Sequence, residues 1–188
     1  MPVANDDTGY TEYVTAKLPW LRRTAYLLCQ DWHRADDLLQ TAITKLYINW
    51  QRAERVENID GYARTILVNT FLAEQRSPWW KRVVPHREDL DSATKATDLE
   101  AILDLRAALS ALPPKQRATV VLRYYNDLSI TETAEALCCS EGTVKSQTSR
   151  ALVSLRHILE TRDRGNRTTS TRVDDARTFA ATHPGGMK

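Results

Sequence analysis

Thr143, Lys145, Ser146, Gln147, Ser149 and Arg150 lie within a run of helical spacing whose other face carries Val144, Ala151, Leu155 and Ile158. The apolar positions point to a core. The polar face offers hydroxyls, an amide and two cations, with no acid. A helix entering a DNA major groove needs this chemistry, because base edges present acceptors there and phosphates flank them. The bland alternative is a helical hairpin with a solvated face. A second cluster is Trp79-Trp80, flanked by Arg76, Lys81 and Arg82. Two adjacent tryptophans cannot both face the core of one helix. Aromatic faces stack on unpaired bases while neighbouring cations hold phosphates. The alternative is that at least one tryptophan covers the end of a helical domain. A third group is the strip Asp36, Asp37, Gln40, Thr41 and Lys45, with two acids at its N-terminal end. Acids at a helix start match the macrodipole. They also suit docking to a basic partner.

Helices must position all three groups. Ser129 is an N-cap with Glu132 as its capping-box partner, and Ile130, Ala134 and Leu137 form the stripe behind them. Cys138-Cys139 is the turn, and Ser140 caps the long helix that follows. Upstream, Leu99, Ile102, Leu103, Leu105, Leu109 and Leu112 predict a helix that Pro113-Pro114 stops. The next helix carries Ala118, Val121, Leu122 and Tyr125. In the N-terminal block, Gly9 to Cys29 reads as helix, with Pro19 expected to break or kink it. Asp31 caps a second helix reaching about Trp50, residues 51–57 read as loop, and Asn58 caps a third helix from Ile59 to about Arg76. No strand pattern is seen. The expected class is all-α, with two small helical domains joined by a flexible linker. The first, over 9–82, is a three- to four-helix unit, and the second, over 98–160, is a helix-turn-helix unit. Residues 83–97 are the linker, 1–8 a disordered start, and 161–188 a tail too rich in Thr, Arg, Asp and Gly to order itself, with a short helix around Val173 to Ala181 as the alternative.

Composition excludes several classes. A net charge of +2 over 188 residues is not that of a uniformly basic DNA coat, so any nucleic-acid affinity is local. No apolar run is long enough to cross a bilayer, and the N-terminus shows no basic-then-apolar signal, so no membrane partner is expected. Three cysteines, two adjacent, make no disulfide framework and fit a reducing cytoplasm. Cys29 and His33 sit four apart on what reads as helix, but no second ligand pair lies nearby, so no metal site is expected. There is no phosphate-binding glycine loop and no nucleophile constellation. An enzyme is therefore not expected, and neither is a cofactor.

The segment LPPKQRATVVLRYYNDLSITETAEALCCSEGTVKSQTSRALVSLR resembles the promoter-recognition domain of bacterial sigma-70-class sigma factors. RADDLLQTAITKLYINW resembles the part of their first domain that grips the clamp helices of RNA polymerase. NIDGYARTILVNTFLAEQR resembles the part that opens and reads the −10 element. The blocks stand in the family's order across about residues 10–160. With only these two domains, the chain is similar to the extracytoplasmic-function (ECF) group, and LVNTFLAEQRSPWWKR is most similar to a subgroup with a Pro-Trp-Trp loop.

The resemblance implies a non-enzymatic polymerase subunit that reads −10 and −35 elements and helps to melt the promoter. Core polymerase contact would fall on Asp36, Asp37, Leu38, Gln40 and Thr41. The −10 reader would fall on Asn69, Gln75, Arg76, Trp79, Trp80, Lys81 and Arg82, where unstacking a base takes a few kcal/mol. The −35 reader would fall on Lys145, Ser146, Gln147, Ser149 and Arg150, with Thr143 on the same face. Implied partners are the clamp helices of the largest polymerase subunit, the flap of the second-largest, promoter DNA and a candidate anti-sigma factor. Localisation would be cytoplasmic, at the nucleoid within holoenzyme. A helix-turn-helix activator that is not a polymerase subunit is the alternative, but it has no need for the RADDLLQ helix or the tryptophan loop. A sigma antagonist would not need the Lys145 to Arg150 face.

Three features depart from the family pattern. Cys138 stands where a turn glycine is usual, at a strain on the order of 1 kcal/mol in a left-handed turn. A redox switch at Cys138 or Cys139 is the functional alternative to simple strain. Gln147 and Thr148 replace a more usual arginine and aliphatic pair, which obscures the base preference. The tail beyond Thr161 extends past the second domain, as a plain disordered end or as a regulatory segment.

Overall fold

The computed structural model describes residues 7–76 and 96–181, and side-chain surroundings over 8–76 and 103–162. All regular structure among the described residues is helical. The first half contains α1 (Asp7–Cys29), α2 (Trp32–Ile48), the single turn α3 (Trp50–Ala53) and α4 (Ile59–Arg76). The second contains α5 (Ala96–Ala111), α6 (Pro114–Val120), a π-helical turn over Val121–Tyr125, α7 (Ile130–Ala136) and α8 (Glu141–Ala181).

The start signals read from the sequence are used. The Asp31 carboxylate accepts from the Arg34 N–H at 2.8 Å, and Asn58 Oδ1 accepts from the Gly61 N–H at 2.7 Å. A Cβ at Gly61 would lie 2.9 Å from Asn58 Nδ2, so this cap and a side chain at 61 exclude one another. Pro114 opens α6 in its first turn. Ser129 and Glu132 form the full capping box, with bonds of 3.1 and 2.7 Å.

Four expectations change. Pro19 does not end α1, which runs unbroken from Asp7 to Cys29. The proline removes one intrahelical donor, and burial of Leu21, Ala25 and Leu28 on one side with packing of Tyr10, Tyr13 and Val14 on the other holds the helix through it. Part of the 51–57 loop is instead the turn α3, whose Trp50 and Ala53 are buried. Cys29 and His33 do not share a helix, because α1 ends at Cys29 and α2 begins at Trp32. Residues 161–181, expected to be unordered, continue α8. The chain has no proline between Pro114 and Pro184 to interrupt that helix. The expected linker falls almost wholly outside the described residues.

The two halves share a core. Leu21, Ala25, Leu28, Leu67 and Phe71 of the first half belong to one buried cluster with Ala118, Val121, Leu122, Leu128 and Ala136 of the second. Leu122 is completely buried. A smaller cluster, Ala108, Leu109, Leu112, Val120, Ala151 and Leu155, joins α5, α6 and α8, and Leu27 of α1 packs against it.

Candidate nucleic-acid interface

The face of α8 is built from its N-terminus. The α7–α8 turn closes as a Schellman motif: the Cys138 N–H donates to Glu135 O at 3.1 Å and the Cys139 N–H to Ala134 O at 3.0 Å. This requires a left-handed residue, and Cys138 adopts it at φ 50°. The Ser140 hydroxyl then accepts from the Thr143 N–H at 3.2 Å and starts α8. Val144 and Ala151 are fully buried, which turns the opposite side outward. Thr143, Lys145, Ser146, Ser149 and Arg150 are exposed, and Gln147 is half-buried. Lys145 meets Glu141 only loosely, at 3.9 Å. Glu141 is drawn aside by the Thr131 hydroxyl, which donates to it at 2.7 Å. The Ser146 hydroxyl is turned back on its own helix, donating to Thr143 O at 2.9 Å. Beside this face lies a hollow of about 350 Å³ lined by Arg123, Ile130, Lys145, Thr148, Ser149 and Leu152. Thr148, half-buried there, belongs to the hairpin groove more than to the outward face.

The acidic strip of α2 is in a different condition. Asp37, Gln40 and Thr41 are exposed, while Leu38 is fully buried. Leu38 therefore supports the strip from beneath and presents no surface to a partner. Asp36 is held by Arg22 through two bonds, 2.6 Å from Nε and 2.9 Å from Nη2. Arg22 keeps the Asp36 carboxyl below the usual carboxylate range, chiefly through these hydrogen bonds. Glu74, facing the strip from α4, is pushed up by its burial.

On α4, Asn69 and Gln75 are half-buried and Arg76 is exposed. Seven residues separate Asn69 from Arg76, so those two share a side of the helix. Gln75 lies off it. Trp79, Trp80, Lys81 and Arg82 lie outside the described residues, and the Pro-Trp-Trp loop with them.

Sequence reading overlooked three arginines. Arg22 ties down Asp36, and its guanidinium lies 4.7 Å over the Trp32 ring. Arg117 and Arg106 reach the end of α1 from the second half. The available signal was that α1 has no basic residue in its last turn. Its terminal carbonyls were therefore open to a cation from elsewhere. Cys29 is buried nearby, and burial pushes its thiol up to about 12. Among the described residues, no group of three or more His, Cys, Asp or Glu side chains is placed to hold a metal ion. No helix among them is long and apolar enough to cross a membrane.

Known proteins resemble the chain along most of its length. Residues 13–81 match the family described as Sigma-70 region 2, and residues 102–155 match Sigma-70, region 4. The chain is 39% identical over 163 residues to the RNA polymerase sigma-E factor of Streptomyces coelicolor, covering 82% of this chain and 88% of that protein. It is 32% identical over 152 residues to the ECF RNA polymerase sigma factor EcfG of Rhodopseudomonas palustris, covering 78% and 82%. Its fold is similar to the sigma factor RpoE solved in complex with the anti-sigma factor NepR from Bartonella quintana. That match has a TM-score of 0.68 at 25% identity and covers 81% of this chain and 97% of the other. The chain belongs to the sigma-70 family of RNA polymerase sigma factors, within its ECF group. It is a polymerase-binding promoter-specificity factor rather than a free-standing helix-turn-helix activator.

Proposed function

We propose that the chain divides this function among three surfaces. Asp36, Asp37, Gln40 and Thr41 of α2 bind the clamp helices of core polymerase, with Leu38 as their support. Asn69, Gln75 and Arg76 of α4, together with Trp79, Trp80, Lys81 and Arg82, read and hold the melted −10 element. Thr143, Lys145, Ser146, Gln147, Ser149 and Arg150 of α8 read the −35 element. The observation that carries this reading is the outward face of α8. Its cations and hydroxyls are exposed with no acid among them, and nearby Glu141 is engaged by Thr131. The protein acts without catalysing a reaction, in the cytoplasm and at the nucleoid when in holoenzyme. The polymerase flap is a further contact for the second half. An anti-sigma factor is a candidate regulator, since the similar RpoE was solved with one.

The test is co-purification with core polymerase followed by promoter-dependent transcription in vitro. Initiation that needs both the protein and a matched promoter is expected. Specific DNA binding that never supports initiation would overturn the reading. Replacing Trp79 and Trp80 by alanine is expected to impair opening of duplex DNA more than use of a pre-melted bubble. Equal defects on both templates would leave the pair a structural role only.

A further inference from the structure

The helix that carries the reading face opens with an acid. Glu141 is the first residue of α8, at the end where the helix macrodipole favours a carboxylate. It also stands four residues before Lys145, the order in which a helix best pairs glutamate with lysine. Spacing alone would therefore give Lys145 a settled ionic partner. The structure divides the carboxylate differently. Its Oε1 accepts from the Thr131 hydroxyl at 2.7 Å, whereas its Oε2 lies 3.9 Å from the Lys145 ammonium. The first contact is a short, charge-assisted hydrogen bond. The second is a loose one and leaves the Lys145 side chain 61% exposed.

Thr131 comes from the other helix of the hairpin, and two local features fix its place. The Ser129–Glu132 capping box holds the first turn of α7, with bonds of 3.1 and 2.7 Å. The backbone bonds of the Cys138 turn, at 3.1 and 3.0 Å, then set the start of α8 beside it. The box also engages the Glu132 carboxylate, so that acid is taken as well. Lys145 lines the same hollow as Ile130, the residue before Thr131, which puts these groups at one corner of the hairpin.

Where the Glu141 carboxylate goes matters to a polyanion. Paired with Lys145, it competes with phosphates and base acceptors for the ammonium. Left to swing outward, it repels phosphates of like charge. The Thr131 hydroxyl prevents both without removing the acid from the helix start, where it suits the macrodipole.

We infer that Thr131 is a positioning residue for promoter reading: it holds the Glu141 carboxylate toward α7, so that Lys145 meets DNA as a free cation. The inference rests on the reading of the α8 face as the −35 contact. Thr131 itself touches no base or phosphate in this role and acts through Glu141 on Lys145.

Binding of holoenzyme, reconstituted from core polymerase and the full-length chain, to a matched promoter duplex over a range of salt concentrations tests this. Thr131→Val keeps the branched shape and loses the donor. It is expected to weaken binding about twofold to threefold, the scale of an exposed glutamate–lysine pair that the free protein now forms. With one cation withdrawn from the phosphates, the salt slope should become shallower by about 0.9. Thr131→Ser keeps the donor and should match the wild type. Adding Glu141→Gln to Thr131→Val removes the competing charge and should restore both affinity and slope. A bond that merely staples the hairpin gives another pattern. Thr131→Val and the double variant would then be equally weak, with melting temperature falling in step, and the inference would be overturned. Unchanged affinity and slope in Thr131→Val overturn it too. Lys145→Ala separates the inference from the reading beneath it. If Lys145→Ala binds as the wild type does, the assignment of Lys145 to the −35 contact fails, and the positioning role with it. If Lys145→Ala weakens binding and Thr131→Val does not, the −35 reading stands and the positioning role alone is lost. In a Lys145→Ala background, Thr131→Val should leave the slope where it is, because both act on one cation.

Discussion

The α8 face and the α2 strip differ in readiness. On α8 the exposed cations are nearly free, Lys145 making only a 3.9 Å contact with Glu141. On α2, Asp36 is already bonded twice to Arg22, at 2.6 and 2.9 Å. On the proposed division of surfaces, one that takes a polyanion stays available at little expense, because water solvates separated cations well. A surface meant for a protein can carry a provisional partner, which sets a threshold for the real one. Exposed ion pairs contribute little to stability, so that threshold is low enough for a good interface to cross.

The largest effect should come from reversing the strip. Asp37→Arg places a like charge against the basic partner expected there, and core association measured by gel filtration should weaken about a hundredfold. The isolated melting curve should not move, because Asp37 is exposed. Next, Arg150→Ala should reduce −35-dependent initiation about tenfold, within the 1–3 kcal/mol of a good base contact. Core binding should be intact, and an equal loss of both would erase the contrast between the surfaces. Ser129→Ala tests the frame that holds α8. Loss of the capping box should remove about 1 kcal/mol, lowering the melting temperature by about 2–4 °C. The smallest change is Cys138→Gly, which relieves the left-handed strain but frees the unfolded chain. A net gain of about 0.5 kcal/mol is expected in urea denaturation, with promoter binding unaltered.

Local signals read well because they act within a few residues. The caps at Asp31, Asn58, Ser129 and Ser140 follow from side chains that meet their own backbone, and the turn at Cys138 from backbone bonds within the same few residues. The stripes of Val144, Ala151 and Leu155 did so as well, since period alone orients them. Pro19 misled because a local penalty was outweighed by burial along the helix. Leu38 misled differently: a family contact was carried over onto a side chain that α2 turns into the core. The shared core escaped the sequence altogether. Ala118, Val121 and Leu122 read as the buried stripe of their own helix, and no spacing tells which helix covers a stripe. Arg22, Arg106 and Arg117 escaped for the same reason, as their partners lie 14, 76 and 89 residues away.

The double duty of Arg117 decides how separation would proceed. A buried cation stripped of every acceptor is severely destabilising, and such a joint would part only by unfolding. Arg117 keeps Ser110 O and Leu112 O when Leu28 O is withdrawn, so its charge is never orphaned. Burial already brings its guanidinium down to about 10, and exposure to water on parting relieves that. Of the three acceptors of Arg117, only Leu28 O is withdrawn, exchanging a guanidinium for solvent, a replacement whose net effect is small. The shared apolar core around Leu122, and not this guanidinium, therefore carries most of what separation of the halves would cost.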